Sequence, residues 1–297
     1  MIRIRALAVS IALAAALNGC GSDDGGGSRP VSLKVMTYNI LCSFCDPRNY
    51  DPWLDRLPYF GDTFARHDPD LIGIQELTPL GNEVAQVLEQ APGYGSIYFA
   101  PAGEDSYPDA LILYRSSRFT VLERGEYWLS PTPDVPRSIG FVRLQFPRLV
   151  VWARLMDLDA GREIFFATSH FDNNSPSQEL SAPLVKERTA PFVGDRPVIF
   201  TGDFNSRPNS TAYGILTADP TAGFVLQDSF DLASWRIVTN LEPVPAYDID
   251  DRIDHIFLAG DGVTWTVTDW LADLTVYGPN GRYPSDHFAI VADVTYE

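Results

Sequence analysis

The chain is expected to fold as one α/β domain of layered sheets flanked by helices. Three observations predict this. Strand-like runs, rich in β-branched and aromatic residues and ended by Gly, Pro or Asp, recur from Val31 to the C-terminus. Several are apolar on both faces, as expected of sheets covered on both sides. Helical patterns lie between some of the runs, and no linker-like stretch divides the chain after Val31. At 297 residues it is long enough for one large domain with a full core.

The elements read in order as follows. Ser32 to Ile40 (SLKVMTYNI) is the first strand. Trp53 to His67 carries a helical pattern, with His67 at its end, where histidine is favourable. Asp70 to Glu76 (DLIGIQE) is the next strand, and Asn82 to Gln90 a helix with Asn82 as its N-cap. Strands follow at Ala110–Arg115, Leu149–Leu158 (LVVWARLMDL) and Arg162–His170 (REIFFATSH). Ser177 to Thr189 is helical, with a break expected at Pro183. Pro197–Asp203 is a strand, Asn209–Ala218 a helix, and Arg252–Ala259 and Phe288–Tyr296 are the closing strands.

The N-terminus has a different character. MIRIR is positively charged, and ALAVSIALAAAL is a short apolar run, too short for a comfortable membrane span. Leu17-Asn18-Gly19-Cys20 resembles a bacterial lipoprotein signal, in which the cysteine becomes the lipidated first residue. An ordinary cleaved signal is the alternative. The division is therefore residues 1–19 as signal, 20–30 as a Gly/Ser-rich tether and 31–297 as the folded domain. The expected location is the cell envelope, lipid-anchored on the periplasmic or outer-membrane face. In that oxidising setting Cys42 and Cys45 are expected to form a local disulfide. A formal charge of −17 argues against a protein that coats nucleic acid through a basic surface, but not against a cation-filled acidic site.

Polar residues stand at the ends of the strand-like runs: Asn39, Glu76, His170 with Asp172 beyond it, Asp203 with Asn205, Asp254, and Asp286 with His287. Singly, each is most simply a turn former or a cap. Their repetition favours one shared polar cleft. Only four histidines occur, and two of them are in this set. His255 follows Asp254 and should face the other way, which suits a structural role.

TYN, QE, SHFD, TGDFN, RID and SDH occur in the order found in the endonuclease/exonuclease/phosphatase superfamily, which the chain resembles from about Leu33 to Val294. The resemblance implies the deoxyribonuclease-I-like fold: a four-layer α/β sandwich, two packed, mainly antiparallel β-sheets with helices outside and the site at one end. It implies a metal-dependent hydrolase of phosphate esters. Glu76 would be the main metal ligand, with Asn39 and Asp286 supporting it and Asn39 also serving the phosphate. Asp203 and Asn205 would orient water and phosphoryl group. His287 would be the general base or transition-state donor, held by Asp254, and His170 would reach the phosphate from the opposite side. Asp109 would pair with His170, and Arg148 would contact the phosphate. Mg²⁺ is the expected ion, with Mn²⁺ or Ca²⁺ as alternatives.

The substrate stays open among nucleic acid, phospholipid and small phosphoesters, with a diester favoured over a monoester. No Lys/Arg run offers a grip on a duplex. A tether would keep a sphingomyelinase-like activity in view, and Trp128, Trp235, Trp265 and Trp270 could serve as exposed anchors, although burial is commoner for tryptophan. A lipid-anchored binding protein without catalysis is the reading from another class. A monomer is expected.

Overall fold

The structure, a computed structural model, describes residues 29–46, 48–78, 82–99, 109–142, 146–194, 196–238 and 248–297. The expected signal segment, Cys20 and most of the expected tether lie outside the described residues. The strands are β1 (Val31–Asn39), β2 (Leu71–Leu77), β3 (Tyr94–Tyr98), β4 (Asp109–Arg115), β5 (Phe119–Trp128), β6 (Leu149–Asp157), β7 (Arg162–His170), β8 (Val198–Asp203), β9 (Gln227–Asp228), β10 (Ala233–Val238), β11 (Asp254–Ala259), β12 (Trp265–Asp273) and β13 (Ala289–Tyr296). The helices are α1 (Trp53–His67), α2 (Glu83–Glu89), α3 (Ser177–Thr189), α4 (Thr211–Thr217) and α5 (Ser229–Leu232).

The strands form two sheets, β10-β12-β13-β1-β2-β4-β3 and β5-β6-β7-β8-β11-β9. Most pairings are antiparallel, while β1/β2, β7/β8 and β10/β12 run parallel. Three apolar clusters define four layers. One lies between the sheets and includes Val35, Leu71, Phe166, Ile199 and Ile256. A second packs α1 and α2 on the first sheet through Phe60, Phe64 and Val87. The third packs α3 and α4 on the second sheet through Ala182, Val185, Ala212 and Leu216.

Side chains alternate along a strand, so one set of positions in each central strand fills the space between the sheets. That set changes character along its length. In β1 it runs Leu33, Val35, Thr37, Asn39; in β2, Leu71, Gly73, Gln75; in β7, Ile164, Phe166, Thr168, His170; in β8, Ile199, Thr201, Asp203. Apolar packing gives way to a small polar tier and then to titratable groups. Gln75 joins the sheets within that tier, donating from Nε2 to Thr37 Oγ1 at 3.1 Å and to Thr168 Oγ1 at 2.9 Å. Gly73 permits the close approach: a Cβ there would lie 2.1 Å from Thr201 Oγ1 and 2.5 Å from Thr168 Oγ1.

Two local expectations are corrected. The third helix does not break at Pro183, which lies inside α3. Ser181, Ala182, Val185 and Lys186 are buried on either side of it, and that packing outweighs the lost backbone donor. Asn82 stands at the start of α2 in a left-handed conformation, but its side chain makes no capping bond.

Candidate active site

The two central parallel pairs end together. Asn39 of β1 lies opposite Gln75 of β2, and His170 of β7 lies opposite Asp203 of β8. β11 runs antiparallel to β8 and brings Asp254 opposite Asp203. The polar strand ends read from the sequence thus converge at the open end of the inter-sheet layer.

Asp203 is the hub. Its Oδ2 accepts from Asn39 Nδ2 at 3.1 Å, and the same oxygen lies 3.3 Å from His170 Nε2 and 3.5 Å from His287 Nε2. Its Oδ1 accepts from the Asn205 N–H at 2.9 Å. Burial, reinforced by the Asp254 carboxylate, pushes Asp203 up to about 7. The ring of His287 places Nδ1 2.8 Å from Asp254 Oδ2. Burial opposes a charge on that ring, but Asp254, Asp203 and Asp286 outweigh it and raise His287 well above its ordinary value. His170 goes the other way. Burial first, then the Arg148 and His287 charges, lower it well below the ordinary value. Arg148 Nη1 donates to its Nδ1 at 3.0 Å, which places the ring proton on Nε2, facing Asp203.

Glu76 follows Gln75 and would by simple alternation face away. A register irregularity between Ile74 and Leu77 and a left-handed φ of 62° turn it back. Its Oε1 accepts from Asn39 Nδ2 at 3.1 Å and its Oε2 from the Cys42 N–H at 3.1 Å. Cys42 and Cys45 are joined by the expected disulfide. Asp286 sits at the cleft rim, where desolvation by the walls and the Glu76 carboxylate raise it. Asn205 donates its amide to the Phe171 carbonyl at 3.0 Å and has a φ of 47°.

Three of the expected site residues have surroundings that the sequence does not show. The Asn39 oxygen accepts from the Leu41 N–H at 3.1 Å, so its NH₂ faces the cluster and offers a cation no oxygen. Flipping the amide would set donor against donor in this arrangement, in which Asn39 bridges Glu76 and Asp203. Arg148 directs one guanidinium nitrogen, Nη1, to His170 Nδ1. Asp109 opens β4 opposite Leu77, and its side chain lies outside the described residues.

Several positioning residues carried no signal in the sequence. Buried Arg56 of α1 donates to the carbonyls of Ile40, Leu41 and Pro284 at 2.8, 2.9 and 2.7 Å, gripping the loops after β1 and before β13. Ser285 Oγ donates to the Asn39 carbonyl at 2.7 Å and accepts from the His287 N–H at 3.2 Å. Behind β11, fully buried His255 has Nδ1 3.0 Å from Asp228 Oδ2 and Nε2 2.9 Å from the Ser206 carbonyl, tying the back of the Asp254 strand to the Asn205 loop. His255 is structural, as expected. His67 ends α1 and contacts Asp273. Arg207 pairs with Asp251 at 2.6 Å on the rim.

The donor set suits a hard divalent cation. Glu76 and Asp286 are close enough for one to raise the other, and Asp254 Oδ1 is buried without a hydrogen-bond partner. Ligand atoms of Asp203, Asp254 and His287 lie within 4.8 Å of one another. Clustered oxygens of this kind are offset by a cation. A cleft of about 270 Å³ opens beside them, lined by Asp248, Asp251, Arg252, Asp254, Asp286 and His287 among others.

A profile of the endonuclease/exonuclease/phosphatase family matches residues 36–287. A family protein from Bacteroides thetaiotaomicron is 29% identical, with a TM-score of 0.77 over 91% of this chain and 99% of its own. The mannosyl-6-phosphatase of the same species is 28% identical, with a TM-score of 0.74 over 88% of this chain and 99% of its own. An uncharacterised protein of Acanthamoeba polyphaga mimivirus is 24% identical over 224 residues, 62% of this chain. The chain spans about a third of that relative, 32% of its length.

Proposed function

Because the chain belongs to the endonuclease/exonuclease/phosphatase family of phosphoester hydrolases, we propose that it is a divalent-metal-dependent hydrolase of small phosphoesters. The observation that carries this reading is the junction of His170, Asp203, Asp254 and His287 with Glu76 and Asp286 at one end of the inter-sheet layer. Glu76 and Asp286 are the residues that would hold the cation. Bound there, a cation such as Mg²⁺ supplies charge neutralisation to the phosphoryl and leaving oxygens.

The protein's own groups then divide the work. Asp203, near 7, is suited to orient a water and take its proton close to neutral pH. His287, kept cationic by Asp254, is suited to donate to a phosphoryl oxygen as charge develops, so the donor role fits it better than the base role. His170 offers Nε2–H from the other side, with Arg148 fixing its tautomer. Asn39 keeps Glu76 and Asp203 in register.

Two observations favour a small ester over a polynucleotide. The rim carries Asp248, Asp251 and Asp286 on a chain of net charge −17, which opposes a polyanionic backbone. The similarity to a mannosyl-6-phosphatase supports sugar phosphates, which are monoesters, over the diester first expected. The lipid-surface reading gains little from tryptophan: Trp128, Trp265 and Trp270 are buried, and only Trp235 of the four is exposed.

The test is a substrate panel with and without Mg²⁺: mannose 6-phosphate, p-nitrophenyl and bis-p-nitrophenyl phosphate, inositol phosphates, sphingomyelin, RNA and plasmid DNA. Turnover of the small esters with Mg²⁺, exceeding that of DNA, is expected. Hydrolysis of none of them by folded protein would favour the inactive binding protein.

A further inference from the structure

We propose that Cys42, Cys45 and Glu76 form a latent soft-metal site, closed while the disulfide is intact and opened by its reduction, and that its ligand is a zinc-like divalent cation. The two sulfurs and a Glu76 carboxylate oxygen lie within 4.8 Å of one another. Cys-x-x-Cys is a spacing used by thiolate zinc sites, and a carboxylate is an accepted third ligand.

The grouping does not depend on the disulfide alone. The Cys45 N–H donates to the Cys42 carbonyl at 3.1 Å, closing a turn that brings the two side chains together. Arg56 Nη2 donates to the Leu41 carbonyl at 2.9 Å and lies 3.4 Å from that of Cys42, holding the loop from below. The Cys42 N–H holds Glu76 Oε2 at 3.1 Å from the third side. With the bond broken, these backbone contacts still present two thiols and a carboxylate to one point. Cys42 is buried and Cys45 half-buried, so a reductant has one sulfur within reach.

The chemistry balances with a dithiol as the reductant. Its thiolate attacks the Cys45 sulfur, Cys42 leaves as a thiol, and the second dithiol sulfur displaces Cys45. Two electrons pass to the protein and the dithiol becomes a disulfide. Zinc then binds two thiolates and the Glu76 carboxylate, displaces the thiol protons and keeps a fourth position for water. Thiolates favour zinc over magnesium, so the bound ion would draw Glu76 away from the hard-cation cluster. This last consequence rests on the role proposed for Glu76 above; the metal site itself does not. Reduction with zinc present would therefore switch the hydrolase off.

The test uses the mature protein reduced with a trialkylphosphine, which becomes its oxide with oxygen from water and does not compete for metal as dithiols do. Co²⁺ is titrated in without oxygen, followed by Zn²⁺. Reduced protein should give a sulfur-to-cobalt charge-transfer band saturating at one equivalent and abolished by one equivalent of Zn²⁺, while oxidised protein gives none. Cys42→Ser should lose the band, and Glu76→Gln should keep it with measurably weaker binding, since a neutral amide replaces the third, charged ligand. A reduced protein with two free thiols and no band would overturn the site, and unchanged cobalt affinity in Glu76→Gln would remove the carboxylate from it. In parallel, one equivalent of Zn²⁺ should suppress Mg²⁺-supported turnover of reduced but not oxidised enzyme. A band without that suppression would overturn the switch while leaving the metal site standing.

Discussion

Asp203 and His287 share one oxygen-to-nitrogen contact and are both raised, the acid by burial and Asp254, the ring by its carboxylate neighbours against burial. The proposed roles need Asp203 ionised and His287 protonated. Activity should therefore rise with pH through about 7, as Asp203 loses its proton, and fall again only well above the ordinary histidine range. Asp254→Asn removes the carboxylate 2.8 Å from the ring and should shift the alkaline limb of kcat/KM to lower pH; because the same carboxylate raises Asp203, the acid limb should move below 7 as well. An alkaline limb that stays in place would separate Asp254 from His287. His287→Ala should lower kcat by about 10²-fold or more in a folded protein, the scale of a lost proton donor. At this scale much was legible, because an acid, amide or histidine ending an apolar strand is conspicuous. The contacts were not: nothing in the sequence says that Arg148 serves His170, that the Asn39 oxygen turns to Leu41, or that Arg56 grips two site loops.

The central strands were readable because both of their faces are buried, in β1, β2, β7, β8, β11 and β13. Those missed lie at or next to the sheet edges, where one face meets water. β5 reads FTVLERGEYW with exposed residues through its middle, β10 is exposed beyond Ala233, and β12 alternates around an irregularity between Val267 and Asp269. β3 is also an edge strand. Since the site is built by the central strands, these omissions cost little of it. The tier beneath the site makes a sharp prediction. Gly73→Ala would drive a methyl group to 2.1 Å from Thr201 Oγ1, so the sheets must part at the level of Gln75. A loss of about 1–3 kcal/mol by denaturant unfolding is expected, the scale of overpacking in a tight core. Undiminished stability would mean that the two sheets are not packed so closely there.

For the whole molecule, charge sets the working conditions, and attachment is a separate expectation. A net charge of −17 keeps polyanions away and draws cations in. If Cys20 carries lipid, the protein should partition with membranes and Cys20→Ala should release it; wild-type protein that is soluble and lipid-free by mass spectrometry would leave ordinary secretion. The overall architecture was legible because order of elements and order of motifs agree over residues 36–287, whereas the lipid anchor rests on residues outside the described structure. We propose above that the open end of the inter-sheet layer is a cation-dependent phosphoester site organised around Glu76. Its most direct test is the Mg²⁺ dependence of p-nitrophenyl phosphate or bis-p-nitrophenyl phosphate turnover, measured side by side for the wild type and Glu76→Gln. Turnover abolished by a chelator, with Glu76→Gln slower and needing clearly more Mg²⁺, is the expected result. Turnover indifferent to the chelator, or an unchanged Mg²⁺ titration in Glu76→Gln, would remove the cation or Glu76 from the site.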